Sequence, residues 1–387
     1  MRTSLKHMLC TALALAGALI SAEEVRLLIP EKIYAVPGVE SNVYFRNIVT
    51  VINPANYVFD VDCPKGRNDL KRWRFTPAKE DVGTWKWKIR VIGEDGTAAE
   101  AETELVVLPP DAGKGRKISM LVIGASYISN GFIPARVTEL MSRPGNPEFR
   151  TVGTKSKKGK DNVRHEGYGG WRWESFLTRW GFTGSKNKND GMHPDRPVGF
   201  NSPFLFPGPD GKGVFDLNEY FKRNNGGKAP DAVSFQLGMN DVFSAKDDTI
   251  AERTQKSLEG MEKLIAEFRK LEPAPEIFVC VGIPGSGQDG FGKSYSCGQT
   301  AWQFHKNLVF YARALMKKSK ELNFRLVPMF INIDTENNYP LVSEPVNAEN
   351  PQKAMIRNNG IHPASCGYYQ MGDTLYCSLK AWLNEGK

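Results

Sequence analysis

The sequence predicts a two-part protein: a small all-β sandwich, followed by a larger α/β unit in which helices cover both faces of a parallel sheet to give three layers. Two patterns lead to this fold class. Before about residue 110, short runs rich in β-branched and aromatic residues alternate with turn residues and show no helical periodicity. After it, continuous apolar runs alternate with helical segments, which is typical of a covered parallel sheet. A length of 387 residues suits two such units.

Residues 1–22 have the layout of a secretory signal peptide. A basic start is followed by an apolar stretch from Met8 to Ile20 and a small-residue end at Ser21 and Ala22. The apolar stretch is shorter than the roughly 20 residues that a membrane-spanning helix needs. We therefore expect a secreted or periplasmic protein that has no membrane partner after the signal is cleaved.

Residues 23–110 carry the predicted sandwich. Its clearest strand is 84–91, where strict alternation puts tryptophan and aliphatic side chains on one face and lysine or arginine on the other. The stretch from Phe75 to Trp85 resembles the turn and penultimate strand of immunoglobulin-like modules. The remaining predicted strands are 25–29, 44–52, 57–61, 72–75 and 102–108. Prolines and glycines then predict a linker at residues 111–116.

Residues 117–387 carry the predicted α/β unit. Its strands are expected where the continuous apolar runs occur, at 118–123, 149–152, 232–237, 277–282 and 326–331. Helices are expected near 133–141, 174–179, 250–271, 301–322 and 367–383. In such sheets the ligand lies outside the carboxyl ends of the strands. The residues that follow the strands are therefore the first candidates for function.

The composition excludes several other classes of protein. The formal net charge of +8 is a modest basic bias, and its densest part is a lysine-rich stretch at residues 155–160 without interleaved aromatic residues. We expect a solvated loop there and no nucleic-acid partner. The cysteines after residue 22 are irregularly spaced and form no CxxC pair, which predicts no zinc site and leaves one disulfide open. No nucleotide-binding glycine pattern occurs, so we expect no cofactor. The four histidines after residue 22 are scattered and form no cluster with carboxylates, so we expect no metal.

Four short motifs follow the predicted strands or precede the last helix. They are Gly124-Ala125-Ser126, Glu166-Gly167-Tyr168-Gly169-Gly170-Trp171, Gly238-Met239-Asn240-Asp241 and Asn359-Gly360-Ile361-His362-Pro363. In this order they resemble the four blocks of the SGNH (GDSL-like) hydrolase family, in its carbohydrate-esterase type. The resemblance covers about residues 117–385 and implies the flavodoxin-like SGNH hydrolase fold.

The resemblance also implies a role for one residue of each motif. Ser126 would be the nucleophile and His362 the base. The Ser126 and Gly170 N–H groups and the Asn240 side chain would form the oxyanion hole. Preorganised donors of this kind typically contribute about 3 kcal/mol each to the stabilisation of a tetrahedral intermediate.

The chemistry of these residue types supports the same roles. A serine hydroxyl becomes a good nucleophile only when a nearby base takes its proton, and histidine has the ordinary pKa best suited to that task near neutrality. Of the five histidines, His7 lies in the leader, His305 in a helix and His193 in a loop. A flanking glycine and proline restrict the backbone around His362, which makes it the expected base. His165 is a candidate to line the pocket.

The motifs depart from the family at two positions. Ala125 stands where the family usually has aspartate, and Asn359 stands where it commonly has the aspartate that orients the imidazole. The Asn359 carbonyl could orient His362 in place of that aspartate, although without a full charge. A carboxylate from another strand end, Asp334 or Asp289, could do so instead. A backbone carbonyl beneath a Ser-His dyad is the remaining alternative.

The substrate is indicated less directly. The segment at residues 181–230 is long for a connection and rich in aromatic residues, and long loops in compact domains are usually functional. Together with Tyr168, Trp171 and Tyr295 it could line a cleft suited to sugar rings. These aromatic residues could equally pack the segment internally.

Taken together, export, the appended sandwich and the resemblance imply a serine esterase that removes O-acetyl groups from a polysaccharide or oligosaccharide. Its partner would be that acetylated carbohydrate. One alternative is a catalytically silent glycan-binding protein, motivated by the missing aspartate. A lipid or acyl esterase is the other, although no long apolar lid is evident. The sequence leaves the oligomeric state open.

Overall fold

A computed structural model describes residues 25–181, 201–287, 291 and 299–386. The predicted signal peptide lies outside these residues. The described part has a four-stranded and a three-stranded sheet in its N-terminal region and a seven-stranded sheet after residue 116. No helix within these ranges combines the length and hydropathy that crossing a bilayer requires.

The N-terminal region is built almost entirely of strands. In chain order its elements are β1 Arg26–Leu27, β2 Lys32–Ala35, β3 Ser41–Tyr44, α1 Phe45–Ile48, β4 Val49–Thr50, β5 Val58–Asp62, β6 Arg67–Asn68, β7 Arg72–Phe75, β8 Gly83–Gly93 and β9 Gly96–Val107. One sheet has the order β2-β9-β8-β5 and the other β3-β7-β6. Trp73 and Trp87, one from each sheet, are buried and meet edge to face at 6.1 Å. An immunoglobulin-like arrangement of these sheets stays a prediction.

The predicted strand at 44–52 is wrong in its centre, where the chain forms the helical turn α1. The reason is a tertiary contact. The buried Asn47 side chain donates hydrogen bonds to the carbonyls of Phe330 and Ile333, each at 2.8 Å. A continuous strand would have directed alternate residues away from this contact, so the helical turn replaces the local strand preference.

The region after residue 116 alternates strands and helices. Its strands are β10 Lys117–Gly124, β11 Glu148–Val152, β12 Lys155–Lys157, β13 Lys160–Gly167, β14 Leu205–Pro207, β15 Gly213–Phe215, β16 Ala232–Gln236, β17 Glu276–Cys280, β18 Arg325–Val327, β19 Leu341–Pro345 and β20 Lys353–Arg357. Its helices are α2 Ser126–Ser129, α3 Phe132–Met141, α4 Trp173–Thr178, α5 Leu217–Asn224, α6 Met239–Val242, α7 Ile250–Arg269, α8 Ala301–Leu322, α9 Met329–Asn332 and α10 Ser365–Asn384.

The large sheet places three strand ends side by side. Its order is β12-β13-β10-β16-β17-β18, and β11 also pairs with β10. All these pairings are parallel except the β12–β13 hairpin. Gly124, the last residue of β10, is in register with Gly167 of β13 and with Gln236 of β16. Because β10 and β16 are buried along nearly their whole length, both faces of the sheet are covered.

The predictions for β10, β11, β16 and β17 are confirmed, and two others need correction. The predicted strand at 326–331 ends at Val327, and Met329–Asn332 form the helical turn α9 after Pro328, which has no N–H to continue a ladder. The lysine-rich stretch predicted to be a loop belongs to the β12–β13 hairpin. The Lys155 ammonium donates to the carbonyl of Gly167 at 2.9 Å, which joins the two strands of the hairpin.

The segment predicted to be a linker, residues 111–116, is held against the last helix. The Lys380 ammonium is buried and donates to the carbonyls of Pro110 and Ala112 and to the Asn146 side chain. Burial lowers the pKa of Lys380 to about 8. Four described cysteines, Cys63, Cys280, Cys366 and Cys377, are free thiols.

Candidate functional site

Ser126 begins the short helix α2, with Ala125 between it and the end of β10. The helix lies against the strand ends so closely that a Cβ on Gly167 would come within 2.5 Å of the Ile128 and Ser129 backbone, which is why glycine is needed at this position. The N–H and the hydroxyl of Ser126 have no hydrogen-bond partner among the described residues. The residue is half-exposed, so its hydroxyl is placed to meet a ligand at the edge of the sheet.

The two loops beside Ser126 are joined to each other. The Asn240 amide, in α6 after β16, donates to the Trp171 carbonyl at 2.9 Å. Gly170 lies at the exposed tip of the loop after β13, in the left-handed region at φ 74°, and its N–H has no acceptor in the described part of the chain. The structure thus brings the three predicted oxyanion-hole residues to adjacent strand ends.

A small cavity lies between Ser126 and Asn240. Its volume is about 20 Å³, and Leu237, Phe304 and Ile361 are among its apolar walls. A cavity of this size holds roughly one water-sized group. It can therefore accept a short apolar group beside Ser126 but not a long acyl chain.

His362 lies beside this cavity. The preceding residue, Ile361, lines the cavity together with Ser126. The His362 ring meets the ring of Tyr127 edge to face, with their centroids 5.8 Å apart. The Nε2 atom is buried and has no hydrogen-bond partner among the residues described. Burial lowers the pKa of His362 below its ordinary value of 6.5. The imidazole is thus neutral at pH 7 and able to accept a proton.

Asn359 does not orient the imidazole, contrary to one of the alternatives drawn from the sequence. Its side-chain oxygen accepts hydrogen bonds from the N–H groups of Ile361 at 3.0 Å and His362 at 2.8 Å. This local turn is a common use of asparagine. Asn359 therefore fixes the backbone that carries His362 rather than its ring.

The Asp334 carboxylate also has hydrogen-bond partners other than His362. It accepts the N–H groups of Glu336 and Asn337, the Asn337 amide, and the Tyr44 hydroxyl of the N-terminal region. Asp334 is therefore a turn residue that faces the N-terminal strands. The hydrogen bonds of its carboxylate come from these donors and not from the imidazole of His362. Asp289 lies outside the described residues. Within them, no charged group shifts the pKa of His362.

The predicted substrate-binding residues His165, Tyr168 and Trp171 do not line a cleft. Each is 1% exposed. Tyr168 and Trp171 stack on each other with their ring centroids 4.2 Å apart. Their buried rings flank the turn that contains Gly169 and Gly170. Burial lowers the pKa of His165 to about 4, with a smaller contribution from Lys155. Tyr295, the fourth candidate, lies outside the described residues.

Glu166 is a site residue whose role the sequence analysis missed. It is fully buried at the end of β13 and accepts four hydrogen bonds, from the Tyr168 and Tyr220 hydroxyls and from the N–H and hydroxyl of Thr154. Burial raises the pKa of its carboxyl and these donors oppose the shift. The carboxylate fixes Tyr168, two residues before Gly170. The only sequence signal was a glutamate at the head of a glycine motif.

We expect Glu166→Leu to lower the free energy of unfolding by roughly 3 to 5 kcal/mol, because it leaves several buried donors without an acceptor. Glu166→Gln should cost less, since the hydroxyl partners can rotate to accept from the new amide. Urea denaturation of both variants measures these losses. Equal stability of Glu166→Leu and the wild type would show that this network does not hold the Gly170 loop.

The acid limb of the pH profile should report His362. We expect kcat/KM for an aryl acetate to fall with a midpoint below 6.5, because burial lowers the pKa of His362 and protonation removes the base. Asp241, whose pKa burial raises to about 7, lies next to Asn240 and is the control. Asp241→Asn should leave the midpoint unchanged. A midpoint above 6.5 would instead indicate a carboxylate facing the ring.

The described ranges hold no group of three or more histidine, cysteine, aspartate or glutamate side chains arranged to hold a metal ion. The donors around Ser126 are N–H groups and a side-chain amide, which suit an oxyanion and not a cation.

Comparisons with known proteins give similar solved structures only. No family model and no curated protein matches the sequence. A family 3 carbohydrate esterase from Clostridium thermocellum is 13% identical over 70% of this chain and 98% of that chain, with a TM-score of 0.38. A carbohydrate acetylesterase family member from Sinorhizobium meliloti is 13% identical over 69% and 99%, with a TM-score of 0.40. An aryl esterase from M. smegmatis is 11% identical over 68% and 99%, with a TM-score of 0.38.

Proposed function

We propose that this chain is an SGNH-type serine esterase in which Ser126 is the nucleophile and His362 the general base. The observation that carries the proposal is the shared cavity. Ser126, Asn240 and Ile361 line it together, although they come from three separate parts of the chain. A buried, neutral imidazole follows Ile361, and no structural hydrogen bond within the described residues occupies its Nε2.

The reaction would proceed by two acyl transfers. In the first, the Ser126 oxygen attacks the ester carbonyl as its proton passes to His362. The N–H groups of Ser126 and Gly170 and the Asn240 amide stabilise the tetrahedral oxyanion. The C–O bond to the alcohol then breaks, and His362 returns the proton to the departing oxygen. In the second, water attacks the acyl-serine with the same proton transfers and releases the acid.

The cavity also bears on the substrate. Because its apolar walls enclose about 20 Å³ beside Ser126, it favours acetyl over longer acyl groups. The predicted signal peptide and the family resemblance favour a carbohydrate alcohol outside the cell. The proposed substrate is therefore an O-acetylated polysaccharide or oligosaccharide, acted on by a secreted enzyme without nucleic-acid or membrane partners.

A panel of esters tests this function. We expect hydrolysis of p-nitrophenyl acetate to exceed that of the butyrate and octanoate esters, and acetate to be released from at least one of acetylated xylan, acetylated pectin and acetylated chitooligosaccharides. Preference for octanoate would favour the lipid esterase. Glycan binding without hydrolysis of any ester would favour the silent binding protein, which is motivated by Asn359 standing where the family commonly has aspartate.

Three substitutions separate the roles of Asn359 and Asp334. Asn359→Leu should lower kcat and reduce the free energy of unfolding by about 1 to 2 kcal/mol, because two backbone N–H groups lose their acceptor. Asn359→Asp should retain activity, since a carboxylate can accept both. Asp334→Asn should change kcat little. If Asp334→Asn caused the larger loss in acetate release, Asp334 rather than Asn359 would support the base.

A further inference from the structure

A second, larger cavity lies where the N-terminal region meets the turn at residues 334–337. This junction cleft has a volume of about 700 Å³. One wall comes from α1, the loop at residues 52–57 and residues 69–72, and the other from the turn. Neither Ser126 nor His362 lines it, so it is separate from the small cavity between Ser126 and Asn240.

The walls of the junction cleft are fixed to each other. Besides the Asn47 bonds to the chain before the turn, the N–H and the amide of Asn42 donate to the Asn332 side chain at 2.9 and 3.0 Å. Lys71 and Glu336 form an ion pair across the junction. Because both regions contribute to these contacts, the cleft exists before any ligand arrives and binding need not order it.

Among the described residues that line the cleft, three are cations, and they differ in how they are paired. Lys71 is paired with Glu336, and the guanidinium of Arg72 donates to the Asn42 side chain and the Tyr44 hydroxyl. Arg46 is half-buried yet forms no hydrogen bond or ion pair with any described residue. Its Nη1 lies so close to the loop after β17 that a Cβ on Gly287 would come within 2.7 Å of it.

An arginine in this position calls for an acceptor. Burial lowers the pKa of Arg46, and the nearby charge of Glu336 opposes the shift, but a guanidinium keeps its charge in proteins. Its planar fork matches carboxylate and sulfate groups in a bidentate manner. The most direct occupant of the cleft is therefore a molecule that carries such an anionic group.

Three carboxylates also line the cleft, those of Asp69, Asp334 and Glu336, and each already accepts a hydrogen bond. The remaining lining is mainly apolar. Ile52 and Leu70 line it although 76% and 90% exposed, and Tyr57 lines it half-buried. Exposed aliphatic and aromatic side chains in a cleft are typical of ligand sites. The C–H faces of sugar rings can pack on such surfaces while a charged substituent meets the arginine. An anionic glycan satisfies both requirements.

The cleft is linked to the loop that carries His362. The N–H of Gly287 donates to the carbonyl of Thr335 in the cleft wall, and the N–H of Ser286 donates to the carbonyl of Gly360, each at 2.8 Å. A single layer of loops thus separates the cleft from the residues around His362.

We propose that the junction cleft binds an anionic segment of the glycan, with Arg46 pairing with a uronate carboxylate or a sulfate ester and Leu70 packing on a sugar ring. As a statement about substrate, this rests on the proposed esterase function. Binding itself does not depend on hydrolysis, so it can be measured when no ester is cleaved.

The test measures binding of three polysaccharides to the Ser126→Ala variant by affinity electrophoresis and calorimetry. Polygalacturonate carries carboxylates, carrageenan carries sulfates, and xylan without uronate side groups is the neutral control. We expect at least one anionic polymer to bind about tenfold more tightly than neutral xylan, as charge-assisted bidentate pairing allows. The comparison of the two anionic polymers identifies which group the cleft accepts.

Two further substitutions locate the site. In the Ser126→Ala background, Arg46→Gln should remove the preference for the anionic polymer, and Leu70→Ser, at an exposed position, should weaken binding without affecting folding. Arg90→Gln, which removes an exposed arginine on β8, is the matched control and should change nothing. In the active protein, Arg46→Gln should raise KM for an acetylated anionic polymer, whereas Arg90→Gln should change neither this KM nor kcat for p-nitrophenyl acetate.

The outcomes separate this inference from the esterase proposal. Equal binding of neutral and anionic polymers, or an anionic preference that survives Arg46→Gln and Leu70→Ser, would overturn the assignment of the cleft even if esters are hydrolysed. Arg46-dependent binding by a protein that hydrolyses no ester would support the cleft and contradict the esterase.

Discussion

Replacing Ser126 with alanine should lower the hydrolysis of p-nitrophenyl acetate by roughly 10⁴- to 10⁶-fold, the loss found when a serine nucleophile is removed from a hydrolase. The physical reason is that alanine has no oxygen to form the acyl intermediate, while the oxyanion donors around it remain. Steady-state rates at saturating ester, corrected for spontaneous hydrolysis, measure the effect.

The same substitution should leave the fold intact. Because the Ser126 hydroxyl has no hydrogen-bond partner among the described residues, we expect the free energy of unfolding to change by less than about 0.5 kcal/mol. Ser142→Ala, at the exposed end of α3, where the hydroxyl bonds the Glu139 carbonyl, is the matched control and should retain full activity. Appreciable residual turnover by Ser126→Ala would mean that another group carries the acyl chain.

The second large effect is expected at His362. His362→Ala should reduce kcat by roughly 10³- to 10⁶-fold, because the serine then has no base to take its proton. Its stability should fall by only about 1 kcal/mol, the loss of the ring contact with Tyr127. Rates measured beside urea denaturation curves distinguish this loss of the base from unfolding.

Added imidazole provides the control for the role of His362. In the His362→Ala variant it can occupy the vacated space and accept the serine proton, so activity should rise with imidazole concentration. Ser126→Ala should show no such rescue. A rate of His362→Ala close to that of the wild type would show that the proton goes elsewhere.

Much of the α/β fold could be predicted because its strands are buried on both faces. Continuous apolar runs identify β10, β16 and β17 without reference to distant residues. The failures occur where distant contacts decide local structure. Asn47 and Asn332 each bond across the junction of the two regions, and the chain near each is helical rather than extended.

The four motifs stand out in the sequence because each contains glycine, and the structure places three of them at adjacent strand ends. The contacts that hold these motifs in place could not be predicted, since the burial of a side chain is known only from the folded chain. Glu166 reads as an ordinary charged residue in the sequence, but in the fold it accepts four hydrogen bonds. Tyr168 and Trp171 suggested a sugar-binding surface, whereas packing them beneath the Gly170 loop removes them from solvent.

The imidazole environment is the least predictable part of the site. The spacing of Asn359 and His362 is compatible with a hydrogen bond between the two side chains. In the structure the Asn359 side-chain oxygen instead accepts hydrogen bonds from the backbone N–H groups of Ile361 and His362. Among the described residues no charged group shifts the pKa of His362. A Ser-His dyad, which the sequence leaves open as an alternative, would rely on the oxyanion donors for much of its rate acceleration.

Covalent labelling with a fluorophosphonate tests the central claim most directly. The reagent forms a stable adduct only with a serine that a neighbouring base activates, and peptide mass spectrometry locates it. Our account predicts one adduct, on the peptide that contains Ser126, with loss of esterase activity in proportion to labelling and with no adduct in Ser126→Ala. An adduct on another residue, or full activity after Ser126 is labelled, would contradict the assignment of Ser126 as the nucleophile.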